Sequence, residues 1–290
     1  MARLHGFTKK QVLEVYKKML LSRKLDEKML ILLKQGKSYF HIGASGHEAA
    51  QMAAAVSIHS GKDWSFPYYR DGAFCLGLGM TSKEQLLNFL AKADDPNSAG
   101  RQMPQHFGHK KLRIVSQSSP TGTQFLQAVG CALICKMEKE KNIVYVSAGE
   151  GTTSQGDFHE ALNWASNAKA PVIFHIQDNE YAISTHRSEQ MADSVYTMTS
   201  GYKNLDRYNI DGTNFFESNL AFKQAIERAR KGRGPSVIVS NVVRLLPHSS
   251  SDDQKKYRTE KSLKIDKKKD PIRILENQCL ENNIADKDEF

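Results

Sequence analysis

The order of apolar and polar positions along the chain predicts helices and strands in alternation. Apolar residues recur at helical spacing between Val12 and Leu21, Thr8 can cap that helix, and Gly36 follows it. Shorter apolar runs predict strands. The pattern gives helices over residues 8–35, 45–58, 82–93, 121–139, 157–168 and 215–231, and strands over residues 142–148, 171–177, 207–211 and 235–243.

The alternation of strands and helices predicts the fold class. It is typical of an α/β fold with a doubly wound, mostly parallel sheet, here in one domain over residues 1–290. Residues 64–74 are expected to form a short apolar segment and a loop. Residues 94–118 are expected to form a long loop, which in a compact domain is usually functional. Ligands of such sheets bind beyond the carboxyl ends of the strands.

Two predicted strands end in residues that suit a metal ion and a phosphate. One strand leads into Gly149-Glu150-Gly151, and the next leads into Asp178-Asn179. Carboxylate and amide oxygens are ligands that Mg²⁺ prefers, often together with substrate phosphates, and the glycines allow the backbone to approach a ligand closely. Gly-Glu-Gly alone is more often a plain loop. The asparagine at the second strand end makes a magnesium–diphosphate site the favoured interpretation.

Composition excludes several other classes of protein. The chain has 290 residues, of which 40% are hydrophobic and 25% charged, as in ordinary globular proteins. No run approaches the roughly 18 apolar residues of a membrane helix, and the first residues lack the features of a signal or transit peptide. Cys131 and Cys135 share a helix face, but no second pair gives them zinc-site spacing. We therefore expect thiols in the reducing cytoplasm, and no membrane partner.

The net charge of +9 leaves two interpretations open. Either the excess of lysine and arginine is a solvated surface, or it meets a polyanionic substrate or partner. Neither an alternation of aromatic and basic residues nor a helix-turn-helix pattern accompanies it, so we expect no nucleic-acid partner. A basic binding module without catalysis would explain the charge but not the paired strand-end ligands.

Several longer stretches resemble one family. The stretch from Gly149 to Asn179 resembles the thiamine diphosphate motif, in which GDG is followed at a set distance by NN. FPYYRDGAF, GRQMPQHFG, SSPTGTQFLQAVG, GEGTTSQGDFHEALNWA, NEYAIST and RLLPHSSSDDQKKYR resemble the α subunit of the 2-oxoacid dehydrogenase E1 component. The resemblance covers roughly residues 8–280 and implies the thiamine diphosphate-binding fold. GRQMPQHFG, SSPTGTQ and HSSSDD are closer to the branched-chain (2-oxoisovalerate) type than to the pyruvate type.

The resemblance implies a set of cofactor contacts. Magnesium would be held by Glu150, Asn179 and the backbone carbonyl of Tyr181, and the diphosphate would be contacted by Tyr69 and Arg70. The planar fork of arginine suits phosphate. The other implied cofactor contacts are Ser119, Thr121, Gly149, Gly151 and Thr152. A structural K⁺ site is implied at Ser118, Pro120, Thr123 and Gln124, although Ser-Pro before a helix is more often a cap.

The same resemblance makes His248 the active-site histidine. A lone histidine in a polar loop is usually just solvated, but Arg244, Asp252, Tyr257 and Arg258 also match the family's loop. Histidine titrates near neutral pH, so His248 could donate to the diphosphate and assist transfer of the acyl group.

The chain departs from the family pattern at Gln177, Asp178 and Glu180. The family commonly has Asn-Asn-Gly-Tyr where this chain has Asp178, Asn179, Glu180 and Tyr181, and branched-chain relatives often have arginine at the position of Gln177. A neutral side chain in place of a cation is expected to weaken diphosphate binding, since a charge-assisted hydrogen bond contributes about 1.5–3 kcal/mol. Ser249 aligns with a regulatory phosphorylation position of some mitochondrial members, and we interpret it as an ordinary loop serine.

The implied activity is oxidative decarboxylation of a 2-oxo acid, followed by acyl transfer to a lipoyl-bearing E2. In the two-chain family a glutamate of the β subunit activates the cofactor, so we expect an inactive lone chain and an α2β2 complex. Alternatives are a pyruvate dehydrogenase α subunit and a catalytically weakened scaffolding α subunit. Family α subunits continue through further helices, so the C-terminal helices are expected to be short or missing, in a short form, a fragment or an α–β fusion.

Overall fold

A computed structural model describes residues 3–290. The helices are α1 (Lys9–Lys34), α2 (Glu48–Ala55), α3 (Gly72–Leu78), α4 (Ser82–Phe89), α5 (Thr123–Met137), α6 (Gly156–Ala168), α7 (Arg187–Gln190), α8 (Val195–Met198), α9 (Phe215–Arg230), α10 (Glu260–Lys268) and α11 (Pro271–Glu281). The strands are β1 (Arg3–Leu4), β2 (Phe7–Thr8), β3 (Trp64–Phe66), β4 (Val144–Gly149), β5 (Val172–Asp178), β6 (Tyr181–Ala182), β7 (Thr185–His186), β8 (Asp206–Asp211) and β9 (Ser236–Asn241).

The main sheet has the spatial order β3-β4-β5-β9-β8, and every neighbouring pair in it is parallel. The predicted fold class is therefore confirmed. In register, Gly149 lies opposite Gln177, and Asp178 lies opposite Asn241. Because all strands run the same way, their carboxyl ends meet at one edge, where doubly wound sheets bind ligands.

Helices cover both faces of the sheet, because buried strands alternate their apolar side chains between the two faces. Tyr145, Ile173 and Ile238 join one core cluster, together with buried residues of α1, α2, α3, α9 and α11. Val146, Phe174 and Val239 join a second cluster with α5 and α6. The central strands are thus fixed from both sides, which holds the residues at their ends in place.

The predicted helices and strands are confirmed with shifted ends. The predicted cap of α1 at Thr8 is also confirmed. Thr8 Oγ1 accepts from Gln11 N at 3.4 Å, and Gln11 Oε1 accepts from Thr8 N at 2.9 Å, a reciprocal capping box. Residues 64–74 were expected to form a short apolar segment and a loop. The apolar segment is strand β3, and the loop was wrong at its end, where the first three residues of α3 lie. Beyond residue 243 no element was predicted, and C-terminal helices were expected to be short or missing. The structure has α10 and α11 there.

The four cysteines are free thiols, and three of them are buried. Within residues 3–290, the helices are each too short or too polar to span a bilayer.

Candidate functional site

A cleft of about 260 Å³ opens at the carboxyl edge of the sheet, beside the ends of β4 and β5. It is lined by Tyr68, Tyr69, Arg70, Thr121, Gly149, Glu150, Gly151, Thr152, Asn179, Tyr181, Ala182, Ile183 and His248. The structure therefore brings together most of the residues that the sequence singled out, from five separate parts of the chain. Tyr68, Ala182 and Ile183 were missed as site residues, although all three lie inside stretches that carried the family resemblance.

Glu150 follows β4 and supplies the single carboxylate among the side chains that line the cleft within residues 3–290. It is 1% exposed, and its Oε2 accepts a hydrogen bond from Asn179 N at 3.2 Å. Within residues 3–290, its Oε1 is buried without a hydrogen-bond partner. Burial, with a smaller effect from Asp178, raises the pKa of Glu150 from 4.5 to about 7. A buried oxygen left without a partner is costly, and a cation at this position would satisfy it.

A tight turn after β5 presents Asn179 to the cleft. Glu180 N donates to Asp178 Oδ1 at 2.9 Å and Tyr181 N donates to Asn179 Oδ1 at 3.3 Å, two successive side-chain-to-backbone turns. The carboxylate of Asp178, which the sequence suggested as extra negative charge near a metal, is paired with Arg187 at 2.6 Å. This ion pair compensates much of the charge that Asp178 adds beside Glu150.

Glu180 adopts φ +70°, in the left-handed region that glycine occupies at low cost. We expect Glu180→Gly to stabilise the protein by about 1 kcal/mol, because it relieves this backbone strain. Glu180→Ala is the matched control, since it also removes the ion pair to Arg187 at 3.4 Å but keeps a Cβ. Urea unfolding should show stabilisation in the glycine variant alone, and equal effects of the two substitutions would contradict the strain.

Arg70 and His248 meet on the other side of the cleft. Arg70 is 2% exposed, and its guanidinium donates to Gly43 O at 2.9 Å, to His248 O at 2.9 Å and to His248 Nδ1 at 3.0 Å. Because arginine can only donate, Nδ1 of His248 accepts, and a neutral ring carries its proton on Nε2. Burial and the neighbouring Arg70 and Arg244 lower the pKa of His248 to about 3. An anion in the cleft would reverse this effect by compensating the two guanidinium groups.

The loop that carries His248 is held by a chain of polar contacts. Asp252 Oδ2 accepts from His248 N at 2.8 Å and from Tyr257 OH at 2.5 Å, and Tyr257 OH accepts from Arg244 at 2.7 Å. Arg244 also donates to Ile183 O at 3.0 Å, which ties the loop to the β6–β7 hairpin. The matching polar residues around His248 therefore fix its backbone, which explains why they occur as a group.

The residues present fit a divalent cation and an anion held together. Glu150 Oε1 is available as a ligand, Asn179 and the Tyr181 backbone can add neutral oxygens, and Arg70 and His248 offer donors across the cleft. A Cβ on Gly151 would lie only 2.6 Å from Ala182 Cβ, so the hairpin approaches the turn after β4 closely because residue 151 is glycine. Residues 3–290 contain no group of three or more His, Cys, Asp or Glu side chains suited to a metal, so a metal here depends on amide and carbonyl oxygens.

Five predicted ligands lie outside the cleft. Ser119 is exposed, and its hydroxyl is 2.8 Å from His106 Nε2 rather than in the cleft. Ser118, Pro120, Thr123 and Gln124 also do not line the cleft. Thr123 Oγ1 donates to Pro120 O at 3.1 Å, and Gln124 Oε1 accepts from Gly122 N at 3.2 Å. These contacts place Pro120, Thr123 and Gln124 close together at the start of α5. They also fit the alternative that this segment only caps the helix.

The fold and the cleft define a class of protein, an α/β protein with a cleft at the carboxyl edge of its sheet whose residues could hold a divalent cation and a linked anion. The chain belongs to the dehydrogenase E1 component family, whose model matches residues 16–290. The resemblance drawn from the sequence is thereby confirmed.

Three relatives cover nearly all of the chain. It is 45% identical to 2-oxoisovalerate dehydrogenase subunit alpha of Bacillus subtilis, over 96% of this chain and 84% of the relative. It is 32% identical to the mitochondrial 2-oxoisovalerate dehydrogenase subunit alpha of Dictyostelium discoideum, over 94% of this chain and 62% of the relative. It is also 32% identical to the pyruvate dehydrogenase E1 component subunit alpha of Staphylococcus aureus, over 95% of this chain and 73% of the relative.

Proposed function

We propose that the chain is the α subunit of a branched-chain 2-oxoacid dehydrogenase E1. In this role it takes part in decarboxylating a 2-oxo acid and in transferring the acyl group to a lipoyl-bearing E2. The observation that carries the proposal is the cleft, which places Glu150, Asn179, Arg70 and His248 around one space. Substrate type is supported by the higher identity to a 2-oxoisovalerate subunit, 45%, than to a pyruvate subunit, 32%.

Thiamine diphosphate with Mg²⁺ is the proposed cofactor, and it supplies the carbanion and the electron sink that decarboxylation requires. Glu150, Asn179 and the Tyr181 carbonyl would hold the metal. Arg70 would bind the diphosphate and, through Nδ1 of His248, keep the proton of that ring on Nε2. His248 can then donate the proton on Nε2 to a group in the cleft. It can also take part in proton transfer during acyl transfer.

A β subunit is the proposed partner, in an α2β2 assembly or a fused chain. Cofactor activation needs a carboxylate against the aminopyrimidine, and Glu150 is the single carboxylate lining the cleft within residues 3–290. Glu150 is already assigned to the metal in this proposal. A second carboxylate therefore has to come from another chain, which supports the view that the α subunit alone is inactive.

Reconstitution tests the proposed function. We expect no 2-oxo acid turnover by the purified chain alone, and turnover after it is assembled with its β subunit, Mg²⁺ and thiamine diphosphate. Branched 2-oxo acids should be used with higher kcat/KM than pyruvate in an assay with a lipoylated E2 domain. Robust decarboxylation by the chain alone would refute the need for β. A preference for pyruvate would favour the pyruvate dehydrogenase reading, and an assembled but inactive complex would favour the scaffolding one.

Three further features belong to the proposal. A K⁺ ion at the start of α5 would bind the oxygens of Ser118, Pro120, Thr123 and Gln124, the last three of which now take part in hydrogen bonds. One domain is supported by the single five-stranded sheet with helices on both faces. A cytoplasmic location is supported by the free thiols.

A further inference from the structure

The position of Gln177 differs from the one that the family resemblance implied, which was a place beside the diphosphate. It sits on the central strand β5, opposite Gly149 of β4 and Ser240 of β9, and it is fully buried. It does not line the cleft, where a substitute for a phosphate-binding arginine would be expected. Its side chain instead extends toward α2, on the face of β5 that also carries Ile173.

The amide of Gln177 is bonded at both ends. Its Nε2 donates to Asp71 Oδ1 at 2.6 Å, and its Oε1 accepts from Gln51 Nε2 at 2.9 Å. The same Oε1 lies 2.9 Å from His47 Nδ1. All four side chains are buried, so breaking any of these bonds would leave a polar group unpaired away from water. The network therefore favours one arrangement of its members.

These buried amides hold the backbone from which Arg70 extends. Gln51 Nε2 donates to Arg70 O at 3.0 Å, and Gln51 Oε1 accepts from Ala73 N at 3.1 Å. Together with the Gln177–Asp71 bond, these contacts fix the segment from residue 70 to residue 73. The guanidinium of Arg70 leaves this fixed segment and reaches the cleft, where it donates to His248.

We propose that Gln177 is a positioning residue for Arg70. Through Gln51 and Asp71 it fixes the backbone from which Arg70 reaches His248 and the anion-binding end of the cleft. The inference rests on the proposed function, because the anion is taken to be the diphosphate of the cofactor.

An amide suits this position because it both donates and accepts. Arginine has no acceptor, so Gln177→Arg would remove one of the two acceptors of Gln51 Nε2 and leave one N–H of that amide unpaired, even if the arginine paired with Asp71. Gln177→Leu would remove both bonds at similar volume. Both substitutions are therefore expected to weaken cofactor binding. If position 177 only lacked a phosphate-binding cation, Gln177→Arg would strengthen it instead.

The experiment measures the Kd of thiamine diphosphate with Mg²⁺ by calorimetry, on the chain assembled with its β subunit. We expect Gln177→Leu and Gln177→Arg each to raise the Kd about 10-fold. In an Arg70→Ala background the same substitutions should add little, because a residue that acts through Arg70 has no effect without it. Asn219→Leu is the matched control, since Asn219 is a buried amide of α9 bonded to Ser57 at 3.0 Å. It should lower the midpoint of thermal unfolding and leave the Kd unchanged.

Fully additive effects of Gln177→Leu and Arg70→Ala on the Kd would overturn the inference, as would tighter binding by Gln177→Arg. If Gln177→Leu does not fold, Gln51→Leu takes its place in the double-mutant cycle, with the same two outcomes. Failure of the wild-type assembly to bind thiamine diphosphate would instead refute the proposed function. The two failures are therefore distinguishable from the wild-type titration alone.

Discussion

Glu150→Gln is expected to abolish cofactor binding and at the same time to stabilise the cofactor-free protein at alkaline pH. The first effect follows from loss of the carboxylate assigned to Mg²⁺. Removing even an outer partner of a metal ligand typically costs 10–100-fold in affinity, so loss of the ligand itself should cost at least about 100-fold. Calorimetric titration with thiamine diphosphate and Mg²⁺ measures it.

The second effect follows from the sign of the pKa shift. The pKa of Glu150 is raised from 4.5 to about 7 by burial, so the folded chain binds this proton more tightly than the unfolded chain does. Stability from this group is fully present below about pH 4.5 and is lost as the pH rises through 7. At pH 8 the ionised side chain costs about 3 kcal/mol, which glutamine avoids.

Urea unfolding without cofactor at pH 5 and pH 8 tests this effect. Glu150→Gln should exceed the wild type in free energy of unfolding at pH 8, and the difference should shrink at pH 5. Glu180→Gln is the control, because the neighbouring Glu180 side chain is 52% exposed and should show neither effect. A difference that is the same at both pH values would contradict the raised pKa of Glu150.

Arg70→Ala should weaken diphosphate binding and raise the pKa of His248. Charge-assisted hydrogen bonds contribute about 1.5–3 kcal/mol, which corresponds to a roughly 10- to 150-fold loss of affinity. Arg70 also helps to lower the pKa of His248 to about 3, after the larger effect of burial. Without this guanidinium the pKa should move part of the way back toward 6.5, which NMR titration of the histidine ring measures.

Two variants separate charge from geometry at this position. Arg70→Lys keeps a cation but loses the planar fork, so we expect a low pKa for His248 with intermediate affinity for the diphosphate. Arg230→Ala is the distant control, because Arg230 pairs with buried Asp63 at 2.6 Å, away from the cleft. It should destabilise the fold without changing either readout. An unchanged His248 pKa in Arg70→Ala would show that the two side chains are not coupled.

The central part of the fold and of the site could be predicted from the sequence. The strands that end at Gly149 and Asp178 are buried except at Gly149 itself and begin with apolar runs, so their pattern predicts strands. Once the sheet is parallel, the residues after these strands must meet at one edge, which places Glu150 and Asn179 together. Arg70 and His248 could be added only through the family resemblance, because nothing in the local pattern links two loops so far apart in sequence.

Other parts depend on contacts that a local pattern does not contain. β3 has three residues and gains its strand geometry by pairing with β4, and α3 has seven residues without a side-chain cap. The hydroxyl of Ser119 lies 2.8 Å from His106 Nε2, a contact between residues 13 positions apart that the local pattern does not contain. Gln177 was compared with arginine by position alone, whereas its role depends on partners 106 and 126 residues away in the chain.

The composition of the cleft lining determines how substitutions of its residues would act. Its charged side chains are Glu150 and Arg70, and its remaining surface consists of neutral side chains, glycines and His248. If thiamine diphosphate binds as proposed, substitutions of these residues alter the affinity of the cleft for it. Mass action then sets the outcome of such a substitution, because a weakened site still fills when the cofactor is in excess. A change in this lining would therefore lower activity when thiamine diphosphate is scarce and leave it almost unchanged when thiamine diphosphate is abundant.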